Sequence, residues 1–343
     1  MSWQQSLEQG LLRAWYGKQS WLVLLRPLSA LYTYLVRRRR ERYLCGERSQ
    51  WSPPVPLIVV GNITLGGTGK TPMVLWIVSF LLSRGYRVGV VSRGYGGQPP
   101  HYPWQVDPAG EAAHSGDEPL LIAQRVHVPV FIDPDRSAAA RALLAHEPVD
   151  VIISDDGLQH YALGRSVELV MLDEERGLGN GRCLPEGPLR EPPERLDSVD
   201  LIVSNGAPAD QGGRYAMHLR PTTLVNLLSG DAVPLKLWQG DREVVALAGI
   251  GNPQRFFRTL DNCGFAYETR VFADHASYSV ELLGDLPPGK TVIMTEKDAV
   301  KCRNLAQGNW WYLSVDADMS DAFADALIAL LPPVSLSPTS PQE

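Results

Sequence analysis

The stretch that most constrains this chain is Thr64-Leu65-Gly66-Gly67-Thr68-Gly69-Lys70-Thr71. Before it, Val55 to Val60 reads as a buried strand; after it, Pro72–Leu82 reads as a helix with proline in its first turn. Strand, glycine-rich turn and helix start together make an anion cradle. The glycines let backbone N–H groups close around a phosphate, and the helix N-terminus adds its positive end. In that geometry Lys70 reaches the β- and γ-phosphates of a nucleoside triphosphate, and the Thr71 hydroxyl meets Mg2+. The pattern departs from G-x-x-x-x-G-K-[ST] at one place, where Thr64 occupies the first glycine position. The expectation therefore rests on Gly69-Lys70-Thr71 and the added Gly66-Gly67 pair, against the plainer reading of an ordinary tight turn.

Further apolar runs follow at Arg87–Val91, Val128–Ile132, Val149–Ser154, Glu168–Leu172 and Asp200–Ser204, with helical patterns between several of them, such as Ser137–Ala145. Near-continuous apolar strands alternating with helices predict an α/β fold: a P-loop NTPase-like, mostly parallel sheet covered by helices. Ligands gather at the carboxyl ends of such strands. Asn62, Arg93, Asp133, Asp155, Asp156, Asp173 and Asn205 stand at those ends. Around Pro221 the pattern restarts. Strands are expected over Glu243–Ala248, near Thr269–Phe272, and over Thr291–Met294 and Trp311–Val315, with helices near Gln254–Cys263 and Asp318–Leu331. This predicts a second, smaller α/β domain over 223–333 that closes the cleft, after a first domain over 1–222, with 334–343 as a flexible tail.

The formal net charge of −6 conceals a split, because residues 1–50 carry nine Lys/Arg against three Asp/Glu. Trp21 to Val36 is rich in Leu, Val, Trp and Tyr and runs into Arg37-Arg38-Arg39-Arg40. Interrupted by Arg26-Pro27, it falls short of the about 20 apolar residues that a membrane span needs. Aromatic residues beside arginines suit a helix, expected over about 5–42, lying on an anionic membrane surface. A helix packed on the protein's own core is the alternative, and the apolar content argues against a nucleic-acid arm. No small-residue cleavage site follows the first apolar stretch. Cys45, Cys183, Cys263 and Cys302 are widely spaced, which argues against a disulfide framework or structural zinc and fits a reducing compartment.

Asp155-Asp156 ends the Val151–Ser154 run, where a P-loop protein places carboxylates that hold Mg2+ directly or through water. Gln159 and His160 follow at once and could orient a phosphate or a water. The loop His114-Ser115-Gly116-Asp117-Glu118-Pro119 by itself looks like a solvated acidic turn. Asp274-His275 lies in the second domain, and no spacing argument joins it to Asp117. Asn180–Pro192 is too ordered in its Gly/Pro placement for a filler loop, and it offers Arg190 and Glu191 to a site.

These residues closely resemble the tetraacyldisaccharide 4′-kinase family, the lipid A 4′-kinases of Gram-negative bacteria. The resemblance runs in order through the N-terminal apolar segment, Gly66–Pro72, Ser92-Arg93-Gly94-Tyr95-Gly96, the loop at Asp117, Asp133-Pro134-Asp135-Arg136, Asp155–His160, Leu189–Pro192 and Phe272–His275. It implies transfer of the ATP γ-phosphate to the 4′-hydroxyl of a tetraacyldisaccharide 1-phosphate at the cytoplasmic face of the inner membrane, giving lipid IVA. It also implies Asp117 as catalytic base with His275 as its partner, Lys70 and Thr71 on phosphates and Mg2+, and Asp155, Asp156 and Glu191 as metal-site carboxylates. Arg93, Arg136, Gln159 and His160 would support the cleft, and the chain is expected to act as a monomer with no nucleic-acid partner. Rival readings fit less well. A partitioning-type P-loop NTPase carries a lysine where Leu65 stands, and Thr295-Glu296-Lys297-Asp298 does not match the [NT]-K-x-D motif of GTPases. A non-enzymatic membrane scaffold would have little use for a phosphate cradle and two carboxylate sites.

Overall fold

The computed structural model describes residues 3–17, 19–274, 276, 278–287 and 289–333, with backbone alone for residues 3–9. The tail 334–343 lies outside the described residues. The N-terminal arm consists of α1 (Trp3–Tyr16), a 3-10 segment over Ser20–Leu25, and α2 (Arg26–Leu44), rather than the single helix expected over about 5–42. Pro27 accounts for the break: with φ fixed and no N–H to donate, it suits the first turn of α2 and does not continue a preceding helix. One face of α2 docks on the body. Ser29 Oγ donates to the Cys183 carbonyl at 2.7 Å, Tyr32 donates to the Arg190 carbonyl at 3.1 Å, and Arg26 pairs with Glu186 at 3.0 Å.

The chain then runs β1 (Leu57–Gly61), α3 (Lys70–Ser83), β2 (Val88–Ser92), β3 (Trp104–Gln105), α4 (Ala112–Ser115), α5 (Asp117–Val126), β4 (Val130–Ile132), α6 (Arg136–His146), β5 (Val151–Asp155), β6 (Val167–Asp173), β7 (Leu201–Asn205) and β8 (Arg214–Asn226). It continues through β9 (Ala232–Pro234), β10 (Glu243–Ala248), α7 (Pro253–Asn262), β11 (Ala266–Val271), α8 (Val280–Leu283), β12 (Val292–Thr295), α9 (Glu296–Cys302), β13 (Trp310–Met319) and α10 (Asp321–Ala329). The strands form one sheet in the order β11-β10-β12-β13-β8-β7-β6-β1-β5-β2-β4-β3, with β9 beside β8. Pairing is parallel except at β13–β8, β8–β9 and β3–β4.

β1 lies between β5 and β6 with every residue buried, because both faces of the sheet are covered. Ile58 and Val60 join one core layer with Met73 and Ile77 of α3 and Ile122 of α5, while Leu57 and Val59 join the other with Leu143 of α6. Residue 222 falls inside β8, which pairs with β7 on one side and β13 on the other. The register of β8 with β13 slips between Ser314 and Val315, where Pro221 brings no N–H to the ladder. After β13 the chain returns, and Phe323 of α10 meets the Trp76 ring of α3 at 5.3 Å in the core beneath β1.

The antiparallel joint at β8–β13 reverses the strand direction of the second half. Sheets twist by roughly 20–25° per neighbouring pair, and accumulated from β1 out to β10 this swings the far strands round. The loop after β10 thereby reaches the phosphate cradle: a Cβ on Gly251 would stand 3.5 Å from the Gly67 nitrogen.

Candidate active site

The cradle is built by the loop between β1 and α3. Gly69, with φ 90°, precedes Lys70 at the start of α3, and a Cβ there would stand 2.4 Å from Asn205 Nδ2. That amide donates to the Thr68 carbonyl at 3.1 Å, so the end of β7 holds the loop in shape. Glycine at 69 is thus required twice, by its left-handed backbone and by the close approach. Thr64 forms an antiparallel bridge with Leu189, and the Leu65 N–H donates to the Pro188 carbonyl at 2.9 Å. Extended backbone makes no demand for glycine at 64, which explains the departure from the usual pattern.

Lys70 turns toward the end of β5, where its Nζ stands 3.5 Å from Asp156 Oδ1. Arg190 reaches the same carboxylate at 3.2 Å, and Arg136 donates to the Asp156 carbonyl at 3.3 Å. Burial works to raise the Asp156 carboxyl, but Lys70, Arg190 and Arg136 outweigh it and hold the group below its usual range. Asp155 differs: burial first, then Glu118 and Asp156, push it up to about 7 against Lys70 and the Ser92 hydroxyl. Its Oδ2 accepts from Ser92 at 3.2 Å, while among the described residues its buried Oδ1 has no hydrogen-bonding partner. His160 lies 3.4 Å from Asp135; burial, then Arg136, lowers its imidazole pKa. Arg93, exposed just past β2, adds its charge to the field around Arg136.

Asp117 does not lie in a solvated turn. It is the first residue of α5, only 5% exposed, with Glu118 and Pro119 beside it in the first turn. An acidic first turn with an early proline is a helix-start signal, and it is present in the sequence. Lys297 of α9 approaches Asp117 at 3.7 Å, Glu118 at 3.1 Å and Asp274 at 3.2 Å. Burial favours the neutral amine, but Glu118, Asp117 and Asp274 together raise its pKa and keep it charged. His275 lies outside the described residues. Its chain neighbour Asp274 is joined to the Asp117 helix through Lys297, a link that spacing along the chain did not predict.

A model of the family described as tetraacyldisaccharide-1-P 4′-kinase matches residues 21–332. The chain belongs to that family. Tetraacyldisaccharide 4′-kinases of Pseudomonas syringae pv. syringae and Pseudomonas fluorescens SBW25 are 57% and 53% identical to it. These alignments cover 91% and 97% of this chain, and 94% and 100% of the relatives. The crystal structure of the LpxK of Aquifex aeolicus in complex with ATP superposes with a TM-score of 0.75 at 27% identity, covering 91% of this chain and 99% of that one.

In this chain the cradle residues Thr64–Thr71 and the carboxylates Asp117, Asp155 and Asp156 lie in one neighbourhood, since Glu118 and Lys70 both act on Asp155. Glu191 lies beneath this neighbourhood, on the side of Gln159. Its oxygens are taken by Gln159 at 2.7 Å, by the Tyr161 hydroxyl, and by Arg195 at 3.2 Å, and the side chain is 1% exposed. Its carboxylate is thus held in place by three neighbours, from the loop after β5 and from the helical turn just after it. Gln159 relays the support, donating also to the Asn62 carbonyl at 3.1 Å. Among the described residues no group of three or more His, Cys, Asp or Glu side chains could hold a metal by itself. Lys297 is the charged residue of this neighbourhood that sequence reasoning did not place there. Thr295-x-x-Asp298 has the spacing of a capping box, and this places Lys297 at the start of a helix.

Proposed function

We propose that this chain, acting in lipid A biosynthesis as a tetraacyldisaccharide 4′-kinase, transfers the γ-phosphate of ATP to the 4′-hydroxyl of a tetraacyldisaccharide 1-phosphate at the site just described. Backbone N–H groups over Gly66–Thr71 and the Lys70 ammonium hold the triphosphate. Asp117 aligns the acceptor hydroxyl and takes its proton as the new O–P bond forms; the bond to the bridging oxygen breaks, and ADP leaves with the electron pair. A carboxylate is too weak a base to ionise a sugar hydroxyl beforehand, so its contribution is positioning and late proton acceptance. Arg136, Arg190 and Lys70 keep Asp156 ionised, and His275 is the partner of Asp117 in this reading.

Mg2+ fits the donor set. Oxygen ligands suit it, one or two carboxylates plus substrate phosphates suffice, and Asp155 Oδ1 is buried without a partner among the described residues. Thr71, Asp155 and Asp156 would hold the ion, which when bound neutralises charge on the β- and γ-phosphates. Residues 223–333 act as the smaller unit that closes over the cleft, and the chain works as a monomer.

No helix among the described residues is long and apolar enough to cross a membrane. Exposed Trp21, Leu24, Leu28, Leu31, Tyr34 and Leu35 beside four consecutive arginines support a peripheral enzyme lying on an anionic leaflet, the cytoplasmic face of the inner membrane. The observation that carries the functional reading is the unbroken run of charge from Lys70 through Asp156, Asp155 and Glu118 to Lys297 and Asp117. Labelled-phosphate transfer from ATP tests it. Asp117→Asn is expected to lower kcat by about 10²–10⁴-fold with ATP affinity retained. Transfer at the parental rate by that variant would sink the assignment.

A further inference from the structure

Thr295-Glu296-Lys297-Asp298 opens α9, and its charged residues each go to a different part of the molecule. Glu296 accepts from Arg125 of α5 at 2.6 Å. Lys297 reaches Glu118, Asp274 and Asp117 at 3.1, 3.2 and 3.7 Å. Asp298, fully buried, accepts from the Thr295 hydroxyl at 2.6 Å, the Gly249 N–H at 2.8 Å and the Tyr278 hydroxyl at 2.8 Å. Asp298 therefore locks the start of α9 to the loop after β10, and the Lys297 stem, 18% exposed, leaves that fixed base toward α5.

Three carboxylates from two segments meet one ammonium. Carboxylates crowded together repel one another, and a compact cation with three donors placed between them offsets that repulsion. Asp117 and Glu118 come from the helix that opens beside the cradle, while Asp274 comes from the loop after β11. We propose that Lys297 is a positioning residue for phosphoryl transfer: its ammonium fixes the Asp117 carboxylate in aim and ties it to the Asp274 loop of the smaller unit. This rests on the reading of Asp117 given above. In the transfer step the acceptor proton passes to Asp117, and the Lys297 ammonium neither gains nor loses one. Its effect is to hold the carboxylate correctly placed until that proton arrives.

Glu296–Arg125 supplies the control, because it joins the same helices, α5 and α9, without touching Asp117. The test uses the full chain with ATP, Mg2+ and tetraacyldisaccharide 1-phosphate in mixed micelles. Lys297→Met is expected to lower kcat about 10²-fold, the scale of a misplaced catalytic group, with ATP affinity within about threefold of the parent. Lys297→Arg restores at least about tenfold of that loss, and Glu296→Gln keeps kcat within about threefold. The proposal is overturned if Lys297→Met turns over within about threefold of the parent, or if it and Glu296→Gln lose kcat, ATP affinity and melting temperature alike. Should the Met variant fail to fold, Lys297→Gln is read by the same limits. Should neither fold, an Arg variant with kcat within about tenfold of the parent supports the proposal, and one that loses kcat and ATP affinity together overturns it. Asp117→Asn separates the two failures: if it transfers phosphate normally the reading of Asp117 falls, and if it alone is impaired only the role of Lys297 falls.

Discussion

At Asp155 the folded state and the chemistry pull in different directions. Burial, then Glu118 and Asp156, raise its carboxyl to about 7 from an ordinary value of 3.8. The folded chain therefore binds this proton more tightly than the unfolded chain. The resulting stability is complete below about pH 3.8 and is lost as pH rises to about 7, by roughly 1.4 kcal/mol per unit. Without metal, the protein is expected to lose thermal stability between about pH 5 and about pH 7 more steeply than Asp155→Asn, which cannot ionise there. Parallel melting profiles in parent and variant would remove Asp155 as the source. The residues of this neighbourhood differ in how legible they are. Lys70, Asp155 and Asp156 are readable because each belongs to a local strand-turn pattern. Lys297 is not, because its partner Glu118 lies 179 positions away and only the folded sheet joins them. Glu191 was legible as part of an ordered loop, but its partners Gln159, Tyr161 and Arg195 were not, since they meet it only in the folded chain.

At the scale of elements, the N-terminal arm shows the clearest division of faces. Ser29 and Tyr32 turn inward to the body, while Leu24, Leu28, Leu31 and Leu35 recur at helical spacing on the outside, each more than half exposed. A contiguous apolar stripe of that kind marks a binding surface, and its arginine-rich end suits anionic lipid. Changing Leu28 and Leu31 to Asp is expected to alter stability by no more than about 0.5 kcal/mol each, since neither packs in the core. Flotation with anionic vesicles is expected to show binding weakened by at least about tenfold, as two leucines leaving an apolar phase account for a few kcal/mol. Unchanged flotation would show that the stripe does not dock the protein. Strand identity was legible wherever an apolar run is doubly covered, as in β1, β5 and β10. β8 escaped notice because Pro221 interrupts it, and the irregularity that accommodates the proline leaves Thr222 of β8 unpaired opposite Ser314 and Val315 of β13, whose partnership no local pattern announces. α5 escaped because its acidic first turn reads as solvated until α9 is packed against it.

The whole molecule is one twisted sheet whose far half returns to the near half. The parallel α/β character was readable from alternating runs, but the return was not, since it depends on the antiparallel joint of β8 with β13 and on twist summed over many strands. Its consequence is functional. The phosphate cradle follows β1, while Gly251 follows β10 and Lys297 follows β12, so residues of both halves meet beside the cradle and Asp117. Arg176 strengthens that contact by donating to the Gly251 carbonyl at 3.1 Å, and Arg255 of α7 pairs with Asp173 at the end of β6 at 3.3 Å. On the proposed reading of Asp117, a site assembled across such a joint waits for its acceptor, because transfer needs the sugar hydroxyl, Asp117 and the cradle brought together. ATP turnover without acceptor is therefore expected to be at least about 10²-fold slower than phosphate transfer with acceptor present. Loosening the joint with Arg255→Met is expected to narrow that ratio by lowering transfer while leaving the slow hydrolysis nearly unchanged. Both rates are measurable in one assay that follows ADP and labelled lipid together. Equal ADP release with and without the disaccharide lipid would mean that water reaches the γ-phosphate as readily as the acceptor does, and that assembly across the sheet does not gate the reaction.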